Sequence, residues 1–90
     1  EQDCAWREAK APSFNVVADW RGRERPDEIV LVGAHIDGWD VGHGAHDDAA
    51  GCVHALEVPA LFARLGRRPR RTLRVVLFTN EENGLAGGRD

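Results

Sequence analysis

Methionine is missing from this chain, even at position 1, and the last residues, Gly84-Leu85-Ala86-Gly87-Gly88-Arg89-Asp90, stop where a helix is expected to begin. Both ends read as cut. A piece of a longer protein is expected, with any targeting signal of the parent out of view. No apolar run approaches the roughly 20 residues of a membrane-crossing helix. The opening Glu1-Gln2-Asp3-Cys4 has no apolar core of a signal peptide. A secreted or periplasmic parent is compatible with both absences, and localisation stays open. A basic excess is lacking too. Twelve Lys and Arg against 15 Asp and Glu give a net charge of -3, without the electrostatic footprint of a general nucleic-acid binder. Cysteine is scarce: Cys4 and Cys52 are too far apart for the paired spacing of a structural zinc site, and nothing in the pattern calls for a disulfide. Cys4 reads as an incidental thiol and Cys52 as a small buried hydrophobe on a helix. Repeats and low-complexity segments are absent.

What is present suits one small domain: 90 residues, 42% hydrophobic and 30% charged. Residues 1–12 carry no clear period and are expected to be a tail or the remnant of a preceding segment. From Ser13 the pattern alternates, with Phe14, Val16, Ala18 and Trp20 on one side, which predicts a half-buried strand. Residues 21–27, with Gly22 and Pro26, read as a polar turn. Residues 28–34, apolar from Ile29 onward, predict a central strand covered on both faces. The short connection between these strands favours an antiparallel pair. The glycines at 38, 42 and 44 mark a loop.

A helix is expected from about Asp48 to Leu65, capped by Asp47 or Asp48 and stopped by Gly66, with Pro69 beyond it. Its apolar positions form two stripes, Ala49-Cys52-Val53-Leu56 and Val58-Leu61-Phe62-Leu65, on nearly opposite faces. Pro59 lies at the change of phase and predicts a kink near 55–59. Residues 72–79 predict a third strand, parallel to the second through a right-handed crossover. The arginines at 64, 67, 68, 70, 71 and 74 surround a helix C-terminus and a solvated loop. Cations are favoured there, and no interleaved aromatics offer stacking platforms for bases.

Three clusters of metal-capable residues punctuate these elements. His35-Ile36-Asp37 follows the second strand, Asp47-Asp48 opens the helix, and Glu81-Glu82 follows the third strand. Each has an ordinary explanation: a polar residue at a sheet edge, a helix cap, solvated acids on a turn. One aspartate suffices for a cap, however, and the other is left able to bridge two cations. Adjacent glutamates on a turn point in different directions, so one can bind a metal while its neighbour takes a proton from water. A carboxylate two residues after a ligating histidine can fix its tautomer. Gathered from strand ends and loops, the clusters point to a hydrolytic metalloenzyme.

The string from Leu31 to Asp48, with His35-Ile36-Asp37-Gly38-Trp39-Asp40-Val41-Gly42 at its centre, resembles the M28 family of zinc peptidases. Thr79-Asn80-Glu81-Glu82-Asn83-Gly84-Leu85 does so too. The Trp39-Asp40-Val41-Gly42 stretch is most like the carboxypeptidase Q-like branch. The likeness covers residues 13–90, read as the N-terminal part of a catalytic domain. It implies an α/β fold: a mixed, mainly parallel sheet with flanking helices, truncated from a three-layer α/β/α architecture. It also implies two zinc ions and an exopeptidase acting on short peptides near a free terminus. His35 and Glu82 would each ligate one zinc and Asp47 would bridge both. Glu81 would be the general base, and Asp37 would support His35. Asp48 would cap the helix and orient its neighbours. His43 and His46 are extra relative to the branch, and Pro59 is unexpected in the family's helix. The family's remaining aspartate and histidine ligands would follow residue 90, so the chain alone is expected to bind zinc weakly or not at all, to be inactive, and to be aggregation-prone or only partly folded. Two other readings share the scaffold: a glutaminyl-cyclase-like zinc acyltransferase, and a non-catalytic ectodomain or interaction module. The oligomeric state is left open.

Overall fold

A computed structural model describes residues 11–89. Most of the segment read as a tail, including Cys4, lies outside the described residues. The elements are β1 (Val16–Trp20), β2 (Arg25–His35), α1 (Ala50–Arg64) and β3 (Arg71–Phe78). The strands form one mixed sheet in the order β1-β3-β2. β2 and β3 run parallel, with Val30 opposite Leu73 and His35 opposite Phe78. Parallel register brings the C-terminal ends of both strands to the same edge. No helix among the described residues is long and apolar enough to cross a membrane.

Two expectations about the sheet are corrected. β1 does not pair with β2; it pairs antiparallel with β3, Val16 opposite Leu77 and Trp20 opposite Leu73. The central strand is β3, with Thr72, Leu73, Val75 and Val76 all buried, whereas Ile29, Val30 and Leu31 of β2 are about half exposed. The reason lies in residues 21–24, which cross the start of β3. Gly22 N donates to Thr72 Oγ1 at 3.0 Å. Arg23 N donates to the Pro69 carbonyl, and Glu24 N and Arg25 N to that of Arg70, at 2.9–3.1 Å. A Cβ on Gly22 would lie 2.5 Å from the Arg71 carbonyl carbon. A glycine therefore lets a short link pass over a neighbouring strand, and a hairpin is not formed. A fully apolar run signals burial but not which strand is central.

The helix is also corrected in one respect. It carries a single stripe facing the sheet, with Ala55 buried and Cys52, Pro59 and Phe62 half-buried, at the spacing i, i+3, i+7, i+10, and it continues through Pro59. Ala55 is only 1% exposed and meets Ala34 and Val75, with Val32, Cys52 and Leu77 around them. Small side chains let the helix approach the sheet closely there. Val53, Leu56, Leu61 and Leu65, assigned by pattern to the inner stripes, are exposed. At the far end Phe62 meets Trp20 edge to face, with ring centroids 6.5 Å apart. The helix stops as expected. Gly66 has φ of 60°, and Gly66 N and Arg67 N return to the carbonyls of Ala63 and Phe62, a Schellman closure.

Candidate metal centre

Each of the three sequence clusters reaches the common edge by a different route. His35 is the last residue of β2, and the ladder continues one step beyond it through Ile36 N to the Phe78 carbonyl at 2.8 Å. A turn over Ala45–Ala49, closed by Ala49 N donating to the Gly44 carbonyl at 2.9 Å, brings in Asp47 and Asp48 ahead of α1 with non-helical backbone, and Gly44 is in the left-handed region at φ 61°. Asp48 Oδ1 accepts from Gly51 N at 3.0 Å, which caps the helix. Its other oxygen accepts from His35 N at 3.2 Å, so one carboxylate joins the helix start to the end of β2. A Cβ on Gly51 would collide with this carboxylate, at 2.2 Å from Oδ1.

Glu81 and Glu82 sit on the loop that follows β3. Asp37 holds them by their backbone. Its two carboxylate oxygens accept from Glu81 N at 3.0 Å and Glu82 N at 3.1 Å. The sequence reading gave that carboxylate to the imidazole, but the closer partner of His35 Nδ1 is the Asp37 carbonyl oxygen, at 3.0 Å against 3.6 Å to Oδ1. Burial works against ionisation of Asp37. The two amide donors outweigh it and hold its carboxyl below the ordinary carboxylate range.

The histidine tautomer follows from these contacts. A carbonyl can only accept, so Nδ1 carries the hydrogen and Nε2 presents its lone pair in the neutral ring. Nε2 faces carboxylates: Asp47 Oδ1 at 3.0 Å, Asp48 Oδ2 at 3.9 Å and Glu81 Oε2 at 3.9 Å. A lone pair among anionic oxygens requires a cation or a proton between them. The imidazole responds accordingly. Burial would lower its pKa, but the Asp37 carbonyl and the carboxylates of Glu81, Asp47 and Asp48 raise it.

Single donor atoms of His35, Glu81 and Glu82 lie within 4.8 Å of one another. Glu82 Oε1 is buried and has no hydrogen-bond partner. Burial, followed by the nearby Asp47 charge, pushes the Glu82 carboxyl above its ordinary range. An orphaned buried oxygen beside an imidazole lone pair and a second carboxylate is a donor set that suits zinc. Asp47 touches His35 but stays largely exposed. Among the described residues the mutually close trio is therefore His35, Glu81 and Glu82, without Asp47. His43 and His46 are exposed and outside that trio; His43 lines an open cavity of about 440 Å³ with Trp39 and Val53. His54 is exposed and turns back to the Ala50 carbonyl of its own helix.

One contact has no sequence signal. Cys52 Sγ donates to the His35 carbonyl at 3.0 Å, so the thiol supports the histidine from below as well as filling space. Burial, then the Asp48 charge, raises its pKa and keeps it a thiol.

A parallel strand pair that gathers a histidine and carboxylates at its C-terminal edge defines the chain as part of an α/β protein with a candidate ligand site where such sheets build theirs. The comparisons narrow that class. The pattern of peptidase family M28 matches residues 15–90, and the chain belongs to that family. Carboxypeptidase Q from Bos taurus is 51% identical over 77 residues, which is 86% of this chain and 16% of that protein. Leupeptin-inactivating enzyme 1 from Streptomyces exfoliatus is 33% identical over 79 residues, 88% of this chain and 18% of that protein. A crystal structure of a peptidase M28 precursor from Shewanella amazonensis SB2B superposes with a TM-score of 0.76 at 48% identity, covering 86% of this chain and 17% of that one. The chain spans about a sixth of the length of the curated carboxypeptidase Q relatives it matches.

Proposed function

We propose that this chain supplies part of the metal centre of a zinc-dependent exopeptidase that cleaves short peptides next to a free terminus. The observation that carries the proposal is the buried, unpartnered Glu82 Oε1 beside His35 and Glu81. Membership of family M28 and the identity to carboxypeptidase Q support a peptide as substrate. His35, Asp47 and Glu82 are the residues that would hold two zinc ions, completed by ligands from elsewhere in the full-length protein. The sheet and α1 would be one part of a three-layer α/β/α domain. Bound zinc would supply Lewis acidity, lowering the pKa of water and polarising the scissile carbonyl.

The protein's own groups divide the remaining work. Glu81 Oε2, held near His35 Nε2, takes a proton from the attacking water and returns it to the departing amine. Asp37 fixes both glutamates by their amides, so the base cannot drift when a cation repels or attracts its neighbours. Asp48 holds the His35 backbone, and the Asp37 carbonyl holds its ring.

The test is Glu81→Gln in the full-length protein. An amide cannot accept the proton, while the neighbouring donors remain. Zinc content should stay at the wild-type level and turnover should fall on the order of 10²–10⁴-fold. Near-normal turnover with zinc retained places the base elsewhere.

A further inference from the structure

The loop carrying Glu81 and Glu82 has two side-chain anchors, one from each strand that flanks β3. Asp37 holds the loop at its first turn. Its base is held from the β1 side of β3 by Asn15, the residue just before β1. Asn15 Oδ1 accepts from Thr79 N at 3.0 Å, and Asn15 Nδ2 donates to the Gly87 carbonyl at 2.7 Å. Gly87 N returns to the Thr79 carbonyl at 3.1 Å, and Ala86 N to that of Asn80 at 3.1 Å. One primary amide thus joins both ends of the loop. It acts as a further rung of the β1–β3 ladder at the point where β3 ends.

The closure is tight. Gly87 is buried, and a Cβ there would lie 2.3 Å from the Thr79 carbonyl oxygen and 2.5 Å from Asn15 Oδ1. Within the loop Asn80, next to Glu81, has φ of 57°, a left-handed conformation that closure must maintain. Asn is the side chain the geometry requires: Asp has no donor for the Gly87 carbonyl, and a hydrocarbon leaves two polar groups without partners.

We propose that Asn15 is a positioning residue for the proposed general base and zinc ligand, acting by closing the loop of residues 79–87 from its base. The proposal rests on the peptidase reading for its catalytic consequence but not for its structural one. The experiment uses the full-length protein with Asn15→Ala, Asn15→Asp and Gly87→Ala. It reads amide hydrogen exchange over residues 79–87, the rate of zinc release to a chelator, and kcat and KM separately.

Loss of two hydrogen bonds should speed exchange in this loop about 10–100-fold and leave the rest of the sheet unchanged. Asn15→Asp, which keeps the acceptor, should give a smaller increase and covers the case in which Asn15→Ala does not fold. Zinc release should quicken, and kcat should fall on the order of 10–100-fold with KM within about twofold. Gly87→Ala should act alike and add little on top of Asn15→Ala. Unchanged exchange in the loop overturns the proposal, and so does exchange rising evenly through all three strands. A wild-type protein without zinc-dependent hydrolysis defeats the peptidase reading, while the exchange data still judge Asn15.

Discussion

The two ends of the β2–β3 pair are both crowded with charge, and they treat it in opposite ways. At the N-terminal end, arginines meet carboxylates, two to each glutamate. Arg70 pairs with Glu24 and Arg71 with Glu28, both at 2.5 Å, and nearby Arg23 also reaches Glu24. These pairs are exposed, and both glutamates have cationic partners. At the C-terminal end, Asp47, Asp48 and Glu81 surround a single imidazole, and Glu82 leaves an oxygen without a partner. Paired charge at a surface contributes little to stability and asks for no ligand. Charge of one sign, partly desolvated and uncompensated, is a standing cost, and functional sites are where such costs collect.

The contrast is broken most severely at Glu82. Glu82→Gln keeps the shape and removes the charge that burial and Asp47 make unfavourable. Zinc affinity of the full-length protein should fall by more than about 100-fold, beyond the range of a lost supporting contact. The metal-free protein should meanwhile gain thermal stability near neutral pH. The sign follows from the raised carboxyl pKa: its stabilising influence is complete below the ordinary value of 4.5 and disappears as pH rises through the folded value, so the ionised group is the costly form. Zinc titration calorimetry and melting of the metal-free protein check both halves. A variant that melts lower and binds zinc as before assigns no functional cost to this carboxylate.

The next effect belongs to the opposite end. Gly22→Ala forces a Cβ to within 2.5–2.7 Å of the backbone at residues 70–72, where the link from β1 crosses β3. Backbone cannot yield as a flexible side chain does, and the loss should reach about 3 kcal/mol, near the top of the overpacking range. Denaturant melts of the wild type and the variant measure it. A loss under about 0.5 kcal/mol would mean that the crossing is looser than these distances.

Much of the site could be read from residue types, because its parts sit at element ends. His35 closes an apolar run and Glu81-Glu82 follows a second, so parallel pairing brings them together, and Asp48 joins them from its capping position at the helix start. The helix stop at Gly66 was equally plain. Strand order was hidden because it depends on one glycine in a polar link, and Gly22 looks like any turn residue until its contacts with Thr72 and Arg71 are seen. The inner face of α1 was misread because hydrophobic periodicity gives weight to Val53, Leu56 and Leu61 and little to Ala55, yet closeness to the sheet depends on the small residue. The roles of Asn15, Cys52 and the Asp37 carboxylate depend on which backbone groups lack partners at strand and loop ends, and residue spacing does not record that.

The smallest effect tests whether paired charge on the sheet is as inexpensive as the comparison implies. Asp19 and Arg74 face each other across β1 and β3 and form two parallel hydrogen bonds, Nε to Oδ1 and a terminal guanidinium nitrogen to Oδ2, both 2.7 Å. The Arg74 hydrogen bond, with its charge, holds the Asp19 carboxyl below its ordinary value of 3.8. A depressed carboxyl contributes stability that is full above the unfolded value and is lost as pH falls through the folded one. Asp19→Asn should therefore lower the melting temperature slightly near neutral pH, and the gap to the wild type should close below 3.8. Both groups are solvent-accessible, so added salt should shrink the gap as well. Melting curves across the acid range, at low and high ionic strength, decide it. A gap that persists unchanged into strong acid attributes the effect of Asn to packing or strand propensity, and removes this pair from the set of compensated charges.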